Sequence, residues 1–210
     1  MPRQPSQNAN PEPPIFRSLG LGALVQQLEQ DRFYSVLDLG PARSASLNFW
    51  SGYASRLTVV DFYRSWSDEG FPRPAEGDSH VPLFSGLLAL PPGGRFDIIL
   101  AWEIFDYLDP EQIPDLVRCL HDHCERGALL FVLLSSAALI PATPTAFRII
   151  DRDHLLYESS GGAMKNCPRC QPRDLARLVP GFQMFNSFLL RHGMQEHLFV
   201  WRGTEDACPG

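Results

Sequence analysis

Lysine is almost missing from this chain: Lys165 is the only one among eighteen basic side chains, set against twenty-four acidic ones for a net charge of −6. Binding a phosphate backbone requires clustered Lys and Arg, so no broad nucleic-acid binding is expected. Long apolar runs are missing too. The most apolar stretch, Ala128 to Ile140, already contains Ser135 and Ser136, whereas a spanning helix needs about 20 apolar residues. No membrane partner is expected. The N-terminal stretch MPRQPSQNANPEPP holds no apolar segment of the kind a secretory signal needs. Five cysteines, an odd number in 210 residues, do not build a disulfide framework. Together these absences point to a reducing, cytoplasmic setting.

The cysteines do not read as a metal site either. Cys167 and Cys170 form one CxxC pair, and Cys119, His121, His123 and Cys124 cluster well upstream. Structural zinc takes four ligands in a tetrahedron, usually as two clean pairs. The upstream group lacks that spacing, so no metal is expected, and the pair reads as two reduced cysteines on a loop.

What is present is an ordinary globular chain, 44% hydrophobic and 11% aromatic, of a length suited to one domain. Residues 1–14, rich in Pro, Gln and Asn, are expected to form a disordered tail. Residues 15–204 form the single domain and 205–210 a second tail. Apolar positions from Ile15 to Gln30 fall on one helical face. Tyr34 to Leu39, Leu57 to Val60, Phe96 to Ala101 and Leu129 to Leu134 are short apolar runs that read as buried strands. Helices are expected between them, over Ser44–Ser55 with Ser44 as cap and from Asp109-Pro110 through Leu120. The Pro/Gly/Ser-rich stretch from Ser65 to Gly94 carries only a weak apolar run at Val81 to Leu90. A short helix over Pro172–Val179 and a hairpin of Phe182–Leu190 with Gln195–Trp201 complete the pattern.

Strands alternating with helices imply βαβ units around a parallel sheet, and such a sheet binds its ligand beyond the carboxyl ends of its strands. Those ends carry Asp38-Leu39-Gly40, Asp61, Trp102-Glu103 and Ser135-Ser136. Asp61 follows Asp38 by 23 positions and closes the second strand. A carboxylate there can accept both hydroxyls of a ribose lying across the sheet edge. Strand-end aspartates are also common turn and cap residues, but two in this order favour a nucleoside ligand.

With these features the chain resembles the class I S-adenosylmethionine-dependent methyltransferases, over roughly Ser35 to Arg202. Val36 to Ser44 resembles the family's first motif and Val60-Asp61 its ribose-binding acid. Phe96 to Leu108 is similar to the fourth strand and the segment flooring the cofactor site. Glu125-Arg126-Gly127-Ala128 stands where the family has a Pro-Gly-Gly turn, and the final hairpin suits its reversed last strand. The resemblance implies a doubly wound, mostly parallel seven-stranded sheet with an antiparallel C-terminal strand. It implies S-adenosylmethionine as cofactor, with Asp38, Gly40, Ala42, Ser44, Asp61, Phe62, Trp102 and Glu103 as the residues around it. Methyl transfer to a small-molecule acceptor is the implied activity.

One departure stands out. Gly40, Ala42 and Ser44 occupy the places of three alternating glycines. The implied cofactor carries no phosphate, so it does not demand the close backbone approach of a dinucleotide. Arg43, Ser44 or Ser46 would then be placed to meet the methionine carboxylate. Glu103, His154 and Tyr157 are the candidates for a general base. The altered glycines also motivate a rival reading: a catalytically inactive methyltransferase-like domain that binds a nucleoside ligand or a protein partner. A nicotinamide enzyme is disfavoured because GxGxxG is missing after the first strand. No Asn-Pro-Pro-Tyr motif of nucleic-acid amino-methyltransferases is present.

Overall fold

The computed structural model describes residues 13–158, 161–168, 172–190 and 193–203. The chain opens with β1 (Ile15–Arg17) and α1 (Leu19–Gln26), where one helix from Ile15 was expected. Ser18 divides them: its Oγ accepts the Leu21 N–H at 3.0 Å and caps the helix. Strands and helices then alternate through β2 (Tyr34–Asp38), α2 (Ser44–Trp50), β3 (Ala54–Val59), α3 (Phe62–Asp68), α4 (Val81–Leu88) and β4 (Phe96–Trp102). A 3-10 turn over Ile104–Tyr107 leads to α5 (Gln112–His121) and the long β5 (Cys124–Ser135). Four short strands follow, β6 (Leu139–Pro141), β7 (Ala146–Ile149), β8 (His154–Glu158) and β9 (Met164–Asn166). Then come α6 (Pro172–Leu178), β10 (Phe182–Leu189) and β11 (Met194–Trp201).

The main sheet has the order β10-β11-β5-β4-β2-β3. Its four strands β3, β2, β4 and β5 are parallel, and β11 runs antiparallel to both β5 and β10. The doubly wound, mostly parallel architecture with a reversed C-terminal strand is therefore present. The count differs: among the described residues the sheet has six strands, not seven. The weak apolar run from Val81, to which no element was assigned, is α4, started by Pro82 in its first turn and burying Phe84 and Leu88 four positions apart.

Both faces of the sheet are covered because β5 is apolar on both. Leu130, Val132 and Leu134 join a core with Phe62, Phe84, Leu116 and Leu175 from α3 to α6. Leu129, Phe131 and Leu133 face the opposite core, with Leu21 and Leu24 of α1 and Trp50 of α2. That second core extends into a small antiparallel sheet, β1-β8-β7, through Phe147 and Leu155. A further pair, β6-β9, lies in the same stretch between β5 and α6. None of β6 to β9 was anticipated.

Pro14 belongs to the domain rather than the tail, since its carbonyl accepts the Tyr157 N–H at 3.1 Å. The expected disorder of 1–12 and the tail at 205–210 lie outside the described residues, as does Cys170. Cys167 lies on the loop after β9, and that loop is packed down so that the residue is buried. No helix among the described residues is long and apolar enough to cross a membrane.

Candidate functional site

Asp38 ends β2 at 5% exposure, and its Oδ1 accepts two hydrogen bonds, from the Gly40 N–H at 2.9 Å and the Trp102 Nε1–H at 2.6 Å. The bond to Gly40 bends the chain out of the strand, and the bond to Trp102 ties the end of β2 to the end of β4. Trp102 sits at φ +42°, in the left-handed region that a bulky side chain rarely adopts. Its indole stacks on Phe147 with centroids 5.4 Å apart and planes 7° apart. A Cβ at Gly40 would lie 2.7 Å from the indole Cδ1, so glycine is required here by the tryptophan's own approach.

Above this lock is a crevice of about 290 Å³. Leu39, Gly40 and Trp102 from the ends of β2 and β4 line it, together with Asp61, Arg64, Thr145 and Phe147. Asp61 lies two residues past β3 and caps α3, its Oδ1 accepting the Arg64 N–H at 3.2 Å. Phe62 does not contribute. It is fully buried against Phe84 and Trp66, because the helix that Asp61 starts turns the next side chain into the core. Ala42 is exposed and off the crevice wall. Helix α2 takes Arg43, not Ser44, as its N-cap, and the Ser44 side chain lies outside the described residues. Ser46 is buried, its Oγ accepting the Ile149 N–H at 3.1 Å, so that hydroxyl holds β7. Of the residues offered for a carboxylate whose side chains are described, Arg43 stands on the wall and Ser46 does not. The Arg43 Nε is buried without a hydrogen bond, 3.9 Å from a Glu158 oxygen.

Glu103 follows Trp102 and is 7% exposed, its Oε2 accepting the Thr145 N–H at 3.1 Å. Glu103 and Thr145 line both the crevice and a second cavity of about 690 Å³, which Tyr157 also lines. His154 lies on neither wall; its Nδ1 is 2.9 Å from Asp151 and 3.1 Å from Asp153. The structure thus brings two of the three candidate bases to one cavity and leaves the third in a surface acid pair. Sequence reading missed Tyr63, Arg64, Thr145 and Phe147 on the crevice wall. The first two directly follow the Asp61 motif and were findable there. Phe147 comes from β7 and Thr145 from the loop just before it, a segment that no pattern announced.

Burial pushes three carboxyls at this end of the sheet, Asp38, Glu103 and Asp106, each up to about 7. A raised carboxyl holds its proton in the fold but not in the unfolded chain, so its contribution falls as pH climbs from about 4 towards 7. His197, fully buried, is driven down to about 4 and acts oppositely, gaining stability from pH 4 to about 6.5. Three acids outweigh one imidazole. The protein should therefore be more stable at pH 5.5 than at pH 8, by a few kcal/mol in denaturant titrations. Asp38→Asn, which keeps an acceptor for Trp102 and Gly40, should flatten that dependence; an unchanged slope would mean Asp38 is ionised in the fold.

No family model matches the chain, and no curated protein matches it in sequence. Solved structures do match. The 1,6-didemethyltoxoflavin-N1-methyltransferase of Burkholderia thailandensis, determined with its substrate and S-adenosylhomocysteine, is 17% identical at a TM-score of 0.50, over 88% of this chain and 77% of that one. An S-adenosylmethionine-dependent methyltransferase from Mesorhizobium loti is 14% identical at 0.51, over 85% and 95%. The glycopeptide N-methyltransferase MtfA with S-adenosylmethionine is 15% identical at 0.50, over 89% and 96%.

Proposed function

From the fold of the class I S-adenosylmethionine-dependent methyltransferases, which this chain has, we propose that it binds S-adenosylmethionine in the strand-end crevice and transfers the methyl group to a small-molecule acceptor. The observation that carries the reading is the Asp61 carboxylate on the wall of a crevice at the ends of parallel strands, the place where open α/β sheets bind ligands. Asp61 is assigned to the ribose hydroxyls. Arg43 is assigned to the methionine carboxylate, because its buried Nε is a donor without an acceptor. The donor set thus fits the group at both ends. Gly40 gives the ligand bare backbone between them, and Trp102 with Phe147 supplies a rigid apolar wall that excludes water.

When bound, the sulfonium supplies an already activated methyl group, so alignment is the main task left to the chain. Asp38 serves that task indirectly by holding Gly40 and Trp102 in place. The named neighbours methylate acceptors as different as a toxoflavin precursor and a glycopeptide, so the fold leaves the acceptor to local side chains. Calorimetric titration with S-adenosylhomocysteine tests binding, and incorporation of labelled methyl into a low-mass cell extract tests transfer. Saturable binding with labelled small molecules is the expected result. Failure to bind overturns the reading, and binding without transfer to any fraction returns the non-catalytic one.

A further inference from the structure

The second cavity, of about 690 Å³, differs from the crevice in chemistry. Phe16 of β1, Leu139 and Ile140 of β6 and Met194 of β11 make its wall largely apolar. Its charged side chains are both acids, Glu103 and Glu158, and no Lys or Arg lines it. Glu158 is already engaged, with Arg148 at 2.8 Å. The cavity meets the crevice at Glu103 and Thr145, which line both. Much of the wall comes from β1, β6 and β8, the antiparallel strands added to the main sheet.

Building on the methyltransferase reading, we propose that this cavity receives the methyl acceptor. The acceptor is a neutral, mostly apolar, ring-sized molecule that presents an O–H or N–H to Glu103. An anionic acceptor is disfavoured by the wall: no Lys or Arg lines it, the cation beside it, Arg148, is already paired with Glu158, and a phosphate or carboxylate there would lose its hydration without a free cation to compensate. A ring fits because apolar walls with few polar groups bury flat apolar ligands and use the polar group for orientation. In the transfer step the acceptor's lone pair forms the new bond to the methyl carbon. The carbon–sulfur bond breaks with its electron pair staying on sulfur, which ends as a neutral thioether. The acceptor's proton passes to the Glu103 carboxylate and from there to solvent. Glu103 suits this role because burial raises its proton affinity to about 7, so it is part ionised at neutral pH yet basic enough to take a proton.

The test uses the full-length protein, with 2-naphthol as neutral probe and 2-naphthoate as its anionic counterpart, both followed by fluorescence. S-adenosylhomocysteine affinity is measured in parallel on every variant. Naphthol should bind saturably below about 1 mM and naphthoate about tenfold more weakly. Leu139 is 52% exposed, so replacing it should not endanger folding. Leu139→Trp should weaken naphthol about tenfold with S-adenosylhomocysteine affinity unchanged, and Leu139→Arg should reverse the preference towards naphthoate. Glu103→Gln should weaken naphthol about fivefold at pH 8, by removing a charge-assisted acceptor. The proposal falls if naphthol fails to saturate, if naphthoate binds equally well, or if the Leu139 variants leave naphthol affinity untouched. Unchanged naphthol affinity in Glu103→Gln would remove Glu103 from the acceptor's contacts. Loss of S-adenosylhomocysteine binding by the wild type would instead sink the cofactor reading, and the naphthol result would stand apart from it.

Discussion

Asp61→Ser should weaken S-adenosylhomocysteine binding by about tenfold or more while leaving the ligand-free melting temperature at its wild-type value. Two charge-assisted hydrogen bonds from ribose hydroxyls contribute about 1.5–3 kcal/mol each, and about 1.4 kcal/mol is one decade of affinity. Serine is chosen because Asp61 has a second duty. Its Oδ1 caps α3 by accepting the Arg64 N–H, and a serine hydroxyl replaces that cap at little cost. Asp61→Ala removes both functions. It should lose the same affinity and in addition about 1 kcal/mol of stability, a melting shift of about 2–4 °C. Comparing the ligand-induced shift with the ligand-free melting point separates the two effects, because ligand stabilisation follows affinity. A full ligand-induced shift in Asp61→Ser would reduce Asp61 to a cap, and the nucleoside assignment would lose its main support.

Trp102→Ala is expected to be the most destabilising single change at the site, about 3–5 kcal/mol, as for other buried large aromatics. The indole is 6% exposed, stacked on Phe147, edge-on to Phe131 at 5.9 Å, and bonded to Asp38. Removing it opens a cavity beside the crevice and takes a donor from a buried carboxyl. For a domain of this size that is a fall of about 10–15 °C in melting temperature. Trp102→Phe keeps an aromatic ring but loses the N–H, at about 1–3 kcal/mol, together with part of the indole's volume. At pH 8, above the value of about 7 to which burial raises Asp38, the same change in an Asp38→Asn background should cost measurably less, because the partner left behind is neutral. Urea unfolding of the two single variants and the double variant completes the cycle. Simple additivity would show that the Trp102–Asp38 bond contributes nothing beyond packing.

The Trp102–Asp38 contact also shows where sequence and tertiary structure divide. Both residues stand at strand ends that the alternation of apolar runs and helices announces, and that alternation is a local property of the chain. Residues such as Val36, Leu37, Ile98 and Ile99 are apolar in sequence because both faces of a central parallel strand are covered. The parallel sheet and the position of Asp61 follow from it, and the C-terminal hairpin announces the reversed last strand. The helical character of Val81–Leu88 was readable in principle from Pro82 and the four-residue spacing of Phe84 and Leu88, but a short apolar run in a Pro- and Gly-rich stretch suits either structure.

What the sequence did not carry depends on distant partners. Short strands such as Leu139–Pro141 and Met164–Asn166 have three residues each, too few to show a period. They exist because each finds the other across a long loop, as β8 finds β1 from far along the chain. Phe62 and Asp61 are neighbours in sequence, yet the start of α3 sends one into the core and the other to the crevice. Arg43 and Ser46 are equally polar on paper, but only the fold hands the Ser46 hydroxyl to Ile149 and leaves the Arg43 Nε without a bond. Glu103 is legible as a strand-end acid. That it separates two cavities of unlike chemistry is decided by β1, β6 and β8, whose side chains reach it only after the chain has folded back on itself.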